Sequence, residues 1–180
     1  MNIKDFDKIT YDVNRGVALV RLNNPDRRNA WGGRMSVEYR WALYHAHTDD
    51  SARVVVVTGV GDDFCVGADT SELSSIESAG GAYQKAQLEL PPYPEATPKA
   101  FRRNHAYPWC INKPVIAAVN GYAIGGGHVL HVVCDLTIAS ENAIFGQTGP
   151  KVGSFDAGFG SSNLARHVGQ KKARESWRLC

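Results

Sequence analysis

Runs of apolar residues separated by turn residues organise this chain. The runs that predict strands occupy residues 16–22, 53–58, 113–119, 136–139 and 143–146. Those at 53–58 and 113–119 show no alternation, which is typical of strands covered on both faces. Apolar residues recur at helical spacing over residues 34–47, and helices are also predicted at 128–133 and 162–179. Strands that alternate with helices predict an α/β fold with right-handed βαβ crossovers.

The stretch from residue 71 to residue 107 departs from this pattern. It is rich in proline, mixes charges and shows little periodicity. It predicts a short helix near residues 82–89 followed by a long loop, and long loops inside compact domains are commonly functional. Three aromatic side chains near its end are interpreted either as pocket-lining or as exposed loop residues. They are His105, Tyr107 and Trp109.

Composition narrows the class of protein. The chain has 180 residues, 43% of them apolar and 21% charged, which is typical of one soluble globular domain over residues 1–180. A formal net charge of +2 is too small to indicate a nucleic-acid partner. No apolar run approaches the ~20 residues that cross a bilayer, and the N-terminus lacks the apolar segment of a signal peptide. The four cysteines lack paired spacing, so the sequence predicts a cytoplasmic protein with reduced thiols.

Two glycine-bearing turns are the first candidates for chemistry. Gly125-Gly126-Gly127 lies between a predicted strand and a predicted helix, where the absence of Cβ atoms lets the backbone approach a ligand. The free N–H groups of a helix start also favour developing negative charge. A second turn, Gly67-Ala68, follows another buried strand, and two such turns can supply the two amides of an oxyanion hole. A tight strand–helix turn and a helix-capping Asp69 are the plain alternatives.

Three motifs in these regions resemble the crotonase (enoyl-CoA hydratase/isomerase) superfamily. They are PDRRNA at residues 25–30, FCVGAD at 64–69 and KPVIAAVNGYAIGGG at 113–127. The resemblance implies a ββα-spiral fold and an acyl-CoA substrate whose thioester oxygen is held by the amides of Ala68 and Gly126. The positions that it implies for substrate binding are Arg28, near the CoA phosphates, and Val66, Gly67, Asp69, Thr70, Tyr122, Ala123, Ile124 and Gly125.

The same resemblance carries an argument against hydratase chemistry. Hydratases of this superfamily use two glutamates to add water across a double bond. One closely follows the triple glycine, and the other lies in a Phe-Gly-Gln-Pro-Glu segment. This chain has Val129 and Gly149 at those positions. Neither residue can transfer a proton, so hydratase activity is not expected.

The second half of the chain resembles the dihydroxynaphthoyl-CoA synthases of menaquinone biosynthesis. The matching segments are residues 127–131, 145–156 and 169–177. The resemblance implies a lyase that closes a ring in o-succinylbenzoyl-CoA by an intramolecular Claisen-type condensation, with a bound bicarbonate in place of the missing carboxylate base. By this resemblance the bicarbonate is held by Gln147, Thr148, Gly149 and Trp177, the catalytic acid is Asp156, and Ser154 bonds the substrate. The plain alternative for Asp156 is a turn residue.

Other features carry weaker indications. His128 and His131 have a spacing that can serve a metal ion, but no third ligand is suitably spaced and no metal site is predicted. The basic cluster at residues 171–174 is interpreted as a solvated helix face. Tyr83 is the nearest counterpart of a mobile tyrosine in the synthases. The first oxyanion turn lacks the second glycine and the glutamine that the synthases have there.

The resemblance also implies a longer protein. Family members continue beyond residue 180 with helices that pack on neighbouring subunits, in trimers that often pair into hexamers. The chain is therefore expected to lack these C-terminal trimerisation helices. Three alternatives to the synthase stay open: a ring-opening β-oxoacyl-CoA hydrolase, which shares a related Gly-Pro-Lys…Ser-x-Asp segment, a general hydratase/isomerase family member, and a truncated subunit without activity.

Overall fold

The computed structural model describes residues 1–72, 90–94, 104–154 and 159–179. The strands, numbered in chain order, are β1 (Ile9–Asn14), β2 (Val17–Leu22), β3 (Val54–Gly59), β4 (Val115–Val119), β5 (Tyr122–Ile124), β6 (Leu136–Ala139) and β7 (Ile144–Gly146). The α-helices described in full are α1 (Gly33–Thr48), α2 (Gly126–Val132), α3 (Gly160–Val168) and α4 (Gln170–Arg178). Short 3-10 helices occupy Ile3–Asp5, Pro25–Arg27, Asn104–Cys110 and Gly149–Val152.

A five-stranded sheet carries the fold, in the order β1-β2-β3-β4-β6. β1 and β2 form an antiparallel hairpin, and all other neighbours in this sheet are parallel. β5 and β7 form a separate parallel pair. The parallel pairs require crossover connections, so the predicted α/β class is confirmed.

The core lies against one face of the central strands. Every second residue of β2 and β4 is buried, and so are Val55 and Val57 of β3. Helix α1 covers this face with Tyr39 and Leu43, which belong to the same buried cluster. The other face of these strands is only half-buried, so the expectation that both faces are covered holds for one face.

Three element predictions need correction. β1 was not predicted, because its mixed polar and apolar residues give no clear pattern; it pairs with β2 through a turn in which Arg15 and Gly16 have φ of 51° and 85°. The single helix predicted over 162–179 is two helices, because Gly169 has φ 81° and ψ 155°, and interrupts the helical backbone. α2 begins at Gly126, before the predicted start at residue 128.

Two of the aromatic residues near the end of the long loop differ in burial. Tyr107 is buried, and its hydroxyl donates to the carbonyl of Pro92 at 3.0 Å, so it is a core residue rather than an exposed one. The half-buried Trp109 packs its ring against Phe159, with 5.1 Å between centroids. The helix predicted near residues 82–89, Tyr83 and the side chain of His105 lie outside the described residues.

Two further expectations concern membranes and thiols. No helix in the described ranges combines the length and the apolar character needed to cross a membrane. Cys65 and Cys134 are thiols buried in the core.

Candidate active site

The two glycine-bearing turns lie side by side. Cys65 of the first turn and Ala123 of β5 form a parallel bridge. The Cys65 N–H donates to the carbonyl of Tyr122, and the Ile124 N–H donates to the carbonyl of Cys65, both at 2.9 Å. Ala123 is fully buried, and its predicted contact with substrate stays a prediction. β5 uses its other edge to pair with β7, which links both turns to the segment that leads into Gln147.

Close contact between the turns depends on two glycines. A Cβ atom on residue 121 would overlap the carbonyl oxygen of Asp62, and a Cβ atom on residue 127 would overlap that of Cys65. Any side chain at these positions would push the turns apart. Gly127 therefore permits contact between the two turns, whereas the sequence suggested that it permits the approach of a ligand.

Ala68 and Gly126, the predicted oxyanion donors, come together where the turns meet. Ala68 forms a bridge with Trp31. The hydrogen bonds of that bridge run from the Trp31 N–H to the Gly67 carbonyl (2.7 Å) and from the Asp69 N–H to the Trp31 carbonyl (3.0 Å), so the Ala68 N–H points away from Trp31. A Cβ on Gly126 would lie 3.9 Å from the Ala68 nitrogen, and a Cβ on Gly67 would lie 3.5 Å from the Gly126 nitrogen. Two donors this close can serve one oxygen atom.

A cavity of about 370 Å³ opens beside Ala68, within the size range of small-molecule sites. Four of its lining residues were predicted for the site, namely Arg28, Val66, Ala68 and Thr70. Asp26, Arg27 and Ala30 also line it, and the sequence reasoning missed them. Their position beside Arg28 in one motif is the signal that could have found them. The structure thus joins the Arg28 motif and the first oxyanion turn in one cavity.

The guanidinium of Arg28 is held in place from two sides. Its Nε donates to Asp63 Oδ2 at 2.7 Å, and its Nη2 donates to Asp63 Oδ1 at 3.1 Å. The same guanidinium lies 4.6 Å from the centre of the Tyr122 ring. The hydrogen bonds and the charge of Asp63 raise the pKa of Arg28. Its side chain stays 55% exposed, so a positive group of fixed orientation faces solvent at the cavity.

Asp69 is occupied by contacts within the protein. Its carboxylate accepts from the Ser71 N–H at 3.0 Å and the Ser71 hydroxyl at 2.6 Å, and it pairs with Arg27 at 2.9 Å. Burial raises the pKa of Asp69, but the hydrogen bonds from Ser71 and the charge of Arg27 outweigh burial and lower it overall. These contacts match the alternative of a capping aspartate. Its contribution to substrate binding stays a prediction.

Asn29 is a buried residue whose importance the sequence reasoning missed. Its φ of 55° is left-handed, a conformation that asparagine tolerates better than most residues. Its Nδ2 donates to the carbonyls of Val60 (3.0 Å) and Asp63 (2.7 Å), and its Oδ1 accepts from the Asn24 N–H at 2.8 Å. Asn29 therefore fastens the Arg28 motif to the turn that carries Asp63.

Behind the second glycine turn lie the residues that are predicted to hold bicarbonate. Gln147 is 3% exposed, and among the residues that the structure describes its Nε2 has no hydrogen-bond partner. Thr148 Oγ1 lies 3.4 Å from the position of a Cβ on Gly125. A Cβ on Gly149 would lie 2.8 Å from the carbonyl oxygen of Ser154 and 3.8 Å from the Trp177 ring, so these two residues fill that side of Gly149. A buried amide donor without an acceptor among the described residues fits a small oxyanion.

The two remaining predicted catalytic residues are placed only in part. Ser154 is exposed, and its N–H donates to the carbonyl of Gly149 at 2.9 Å. This bond holds Ser154 beside Gly149, one of the residues predicted to bind bicarbonate. Asp156 lies outside the described residues. The catalytic roles of both stay predictions.

Comparison with known proteins gives the family. Residues 12–180 match the family described as enoyl-CoA hydratase/isomerase. The chain belongs to this family. Subunit I of the enoyl-CoA hydratase from Geobacillus kaustophilus HTA426 is similar, with a TM-score of 0.78 and 28% identity over 97% of this chain and 62% of that chain. The enoyl-CoA hydratase from Mycobacterium tuberculosis H37Rv is similar at a TM-score of 0.73 and 32% identity, over 96% of this chain and 66% of that chain.

The likeness to these members of the enoyl-CoA hydratase/isomerase family confirms the predicted crotonase-like fold. The chain spans less than two thirds of the length of both structures. At the two positions where hydratases are expected to have glutamates, Val129 is buried in α2 and Gly149 packs beside Ser154 and Trp177. Neither position offers a group that transfers a proton.

The histidine pair of this family member lies on the side of α2 that faces β6 and β7. His128 Nδ1 and His131 Nε2 are 3.0 Å apart, and the two imidazoles contact each other. Burial, followed by the neighbouring His128 and His167, lowers the pKa of His131 to about 3. Within the described ranges, no cluster of three or more His, Cys, Asp or Glu side chains could hold a metal ion.

Proposed function

We propose that this protein stabilises the enolate of an acyl-CoA thioester, and that its reaction is the ring-closing condensation of o-succinylbenzoyl-CoA, as in the naphthoyl-CoA synthases. One observation carries the proposal. The buried Gln147 amide has no acceptor among the described residues. It comes two residues before Gly149, the position at which a hydratase is expected to have its glutamate. This arrangement suits a bound base better than a side-chain base.

The first part of the mechanism is activation of the thioester. The N–H groups of Ala68 and Gly126 donate to the thioester oxygen, which accumulates negative charge when the neighbouring carbon loses a proton. Because both donors belong to backbone held by glycine contacts, they need no rearrangement when that charge develops. Removal of one such donor typically costs about 10²–10³ in kcat.

The second part concerns the base. Gln147 and Thr148 supply an amide N–H and a hydroxyl as donors, and by the family resemblance they would hold bicarbonate together with Gly149 and Trp177. When bound, bicarbonate supplies a proton acceptor at this place. The protein residues orient it and exclude water on the buried side, where a carboxylate side chain is absent. By family resemblance, Ser154 bonds the succinyl part of the substrate and Asp156 is the acid that protonates its carboxyl oxygen.

The third part is recognition of CoA. The cavity beside Ala68 extends to Arg27 and Arg28, so a ligand whose thioester lies at Ala68 can direct its phosphates towards these cations. Asp63 and Tyr122 hold the Arg28 guanidinium before any ligand arrives, which lowers the entropic cost of binding.

The test is an assay with o-succinylbenzoyl-CoA in bicarbonate-depleted buffer and after bicarbonate is restored. We expect naphthoyl product only with bicarbonate. Gln147→Leu keeps the volume of the side chain but removes the donor, and should raise the bicarbonate concentration needed for half-maximal rate. Gln170→Leu, on the exposed face of α4, is the matched control. A rate that ignores bicarbonate would contradict the proposed base, and faster turnover of a cyclic β-oxoacyl-CoA would favour the hydrolase.

A further inference from the structure

A chain of side-chain hydrogen bonds ties α2 to β6. His128 Nδ1 lies 3.0 Å from His131 Nε2, and His131 Nδ1 lies 3.2 Å from Thr137 Oγ1. The Thr137 hydroxyl is also 3.4 Å from the His131 carbonyl oxygen. We call His128, His131 and Thr137 the imidazole chain. Phe145 of β7 covers it, with 4.7 Å between the His131 and Phe145 ring centroids.

One tautomer of each imidazole satisfies all three contacts at once. A carbonyl oxygen can only accept, so the Thr137 hydroxyl donates to the His131 carbonyl and its oxygen is left to accept from His131 Nδ1–H. A neutral imidazole that carries its proton on Nδ1 has a bare Nε2, which accepts from His128 Nδ1–H. The low pKa of His131, about 3, agrees with the neutral form that this pattern requires. Every bond of the chain therefore has one defined direction.

Helix α2 needs such an attachment because its start is joined to the sheet through a glycine. Gly125 has φ 54° and ψ −115°, and its N–H donates to the Gly146 carbonyl at 2.9 Å. The apolar residues of α2 are buried against neighbouring elements, but apolar packing is not directional. The imidazole chain adds a directional contact to a different strand through His131, more than one and a half turns after Gly125. Two attachments of this kind fix the rotation of α2 about its axis.

We infer that the imidazole chain aims the Gly126 N–H at the thioester oxygen by fixing the rotation of α2 against β6. His128, His131 and Thr137 are then positioning residues for the second oxyanion donor. A small rotation of the helix would weaken this donor, because hydrogen bonds lose strength steeply when they are misaligned. The inference rests on the proposed function, since it takes the Gly126 N–H as a donor to an acyl-CoA thioester.

The test uses a pair of variants at an exposed strand position. Thr137→Val keeps the β-branched shape but removes the hydroxyl, and Thr137→Ser keeps the hydroxyl. The probe is butyryl-CoA labelled with ¹³C at the thioester carbonyl, whose infrared stretch shifts to lower frequency in proportion to the hydrogen bonds it accepts. We expect the shift to shrink in Thr137→Val and to survive in Thr137→Ser, with similar Kd values for the probe. The rate should fall about tenfold in Thr137→Val, less than for the loss of a whole donor.

Two measurements separate failure of this inference from failure of the proposed function. A wild-type spectrum without a shift would overturn the oxyanion proposal and the inference with it. A wild-type shift that Thr137→Val leaves intact would overturn the inference alone. Nitrogen-15 spectra of the imidazoles test the chain without any ligand: Nδ1–H tautomers at His128 and His131 support it, and an Nε2–H tautomer at His131 contradicts it.

Discussion

The backbone of Gly127 presses against the carbonyl group of Cys65, with no room between them for a side chain. These residues belong to the two turns that carry the predicted oxyanion donors, and they are 62 positions apart in the sequence. The contact brings Ala68 and Gly126 together and makes their spacing sensitive to one methyl group.

Gly127→Ala should therefore destabilise the protein. The added methyl group would overlap the Cys65 carbonyl, and backbone must move to accept it, at a cost of about 1–3 kcal/mol. Urea unfolding monitored by circular dichroism measures the effect. Gly126→Ala is the matched control, because its methyl group would lie 3.8 Å from the Gly67 Cα and 3.9 Å from the Ala68 nitrogen, at ordinary contact distance. Equal stability losses in the two variants would contradict the steric argument.

Arg28→Met should weaken CoA binding and also lower stability, because it leaves the nearly buried Asp63 carboxylate without its charge partner. The substitution removes a charged donor that faces the cavity, and a charge-assisted contact of about 1.5 kcal/mol corresponds to roughly a tenfold rise in Kd. Calorimetry with CoA at two salt concentrations measures it, and the wild-type advantage should shrink at high salt. Arg53→Met, which removes an exposed arginine outside the cavity lining, is the control. An unchanged Kd in Arg28→Met would remove Arg28 from the proposed site.

Thr148→Val should lower the apparent affinity for bicarbonate. The valine keeps the shape of the threonine but not its hydroxyl, so the anion loses one donor worth about 1 kcal/mol, or roughly fivefold in affinity. The concentration of bicarbonate that gives half-maximal rate is the quantity to measure. Thr148→Ser restores the hydroxyl and should recover most of the affinity. If valine and serine behave alike, the hydroxyl does not hold the anion.

Acid should destabilise the protein through His131. The folded-state pKa is about 3, below the ordinary value of 6.5, so between these two values the unfolded chain binds a proton that the folded chain does not. The contribution of this group is complete above pH 6.5 and is lost as the pH falls towards 3, with a slope of at most about 1.4 kcal/mol per pH unit. Urea unfolding at several pH values measures the slope. His131→Gln should flatten the slope, because glutamine does not titrate. His128 and His167 remain in that variant, so the change reports His131 alone.

Patterns of apolar residues predicted much of this fold, because the structure of those segments depends on residues that are close in sequence. The apolar runs at 53–58 and 113–119 are central strands, and the helical spacing at 34–47 is α1, since in each case neighbouring residues carry the signal. β7 was predicted from its apolar run, but β5 was not, because three residues are too short for a period; β5 forms a strand because it lies between Cys65 and β7. The break at Gly169 depends on a backbone conformation that an otherwise continuous helical pattern conceals.

What the sequence alone determined is the chemistry that this site lacks and the motifs that it carries. Val129 and Gly149 have no acid or base in any fold, and the ordered motifs around the glycine turns indicate the family without any structure. Only the tertiary structure decided which groups meet: Gly127 with Cys65, Arg28 with Asp63, Asn29 with the carbonyls of Val60 and Asp63, and His131 with Thr137. The reason is physical. A residue type limits what its side chain can do wherever it lies, but hydrogen bonds and steric contacts depend on distances that the folded chain alone creates.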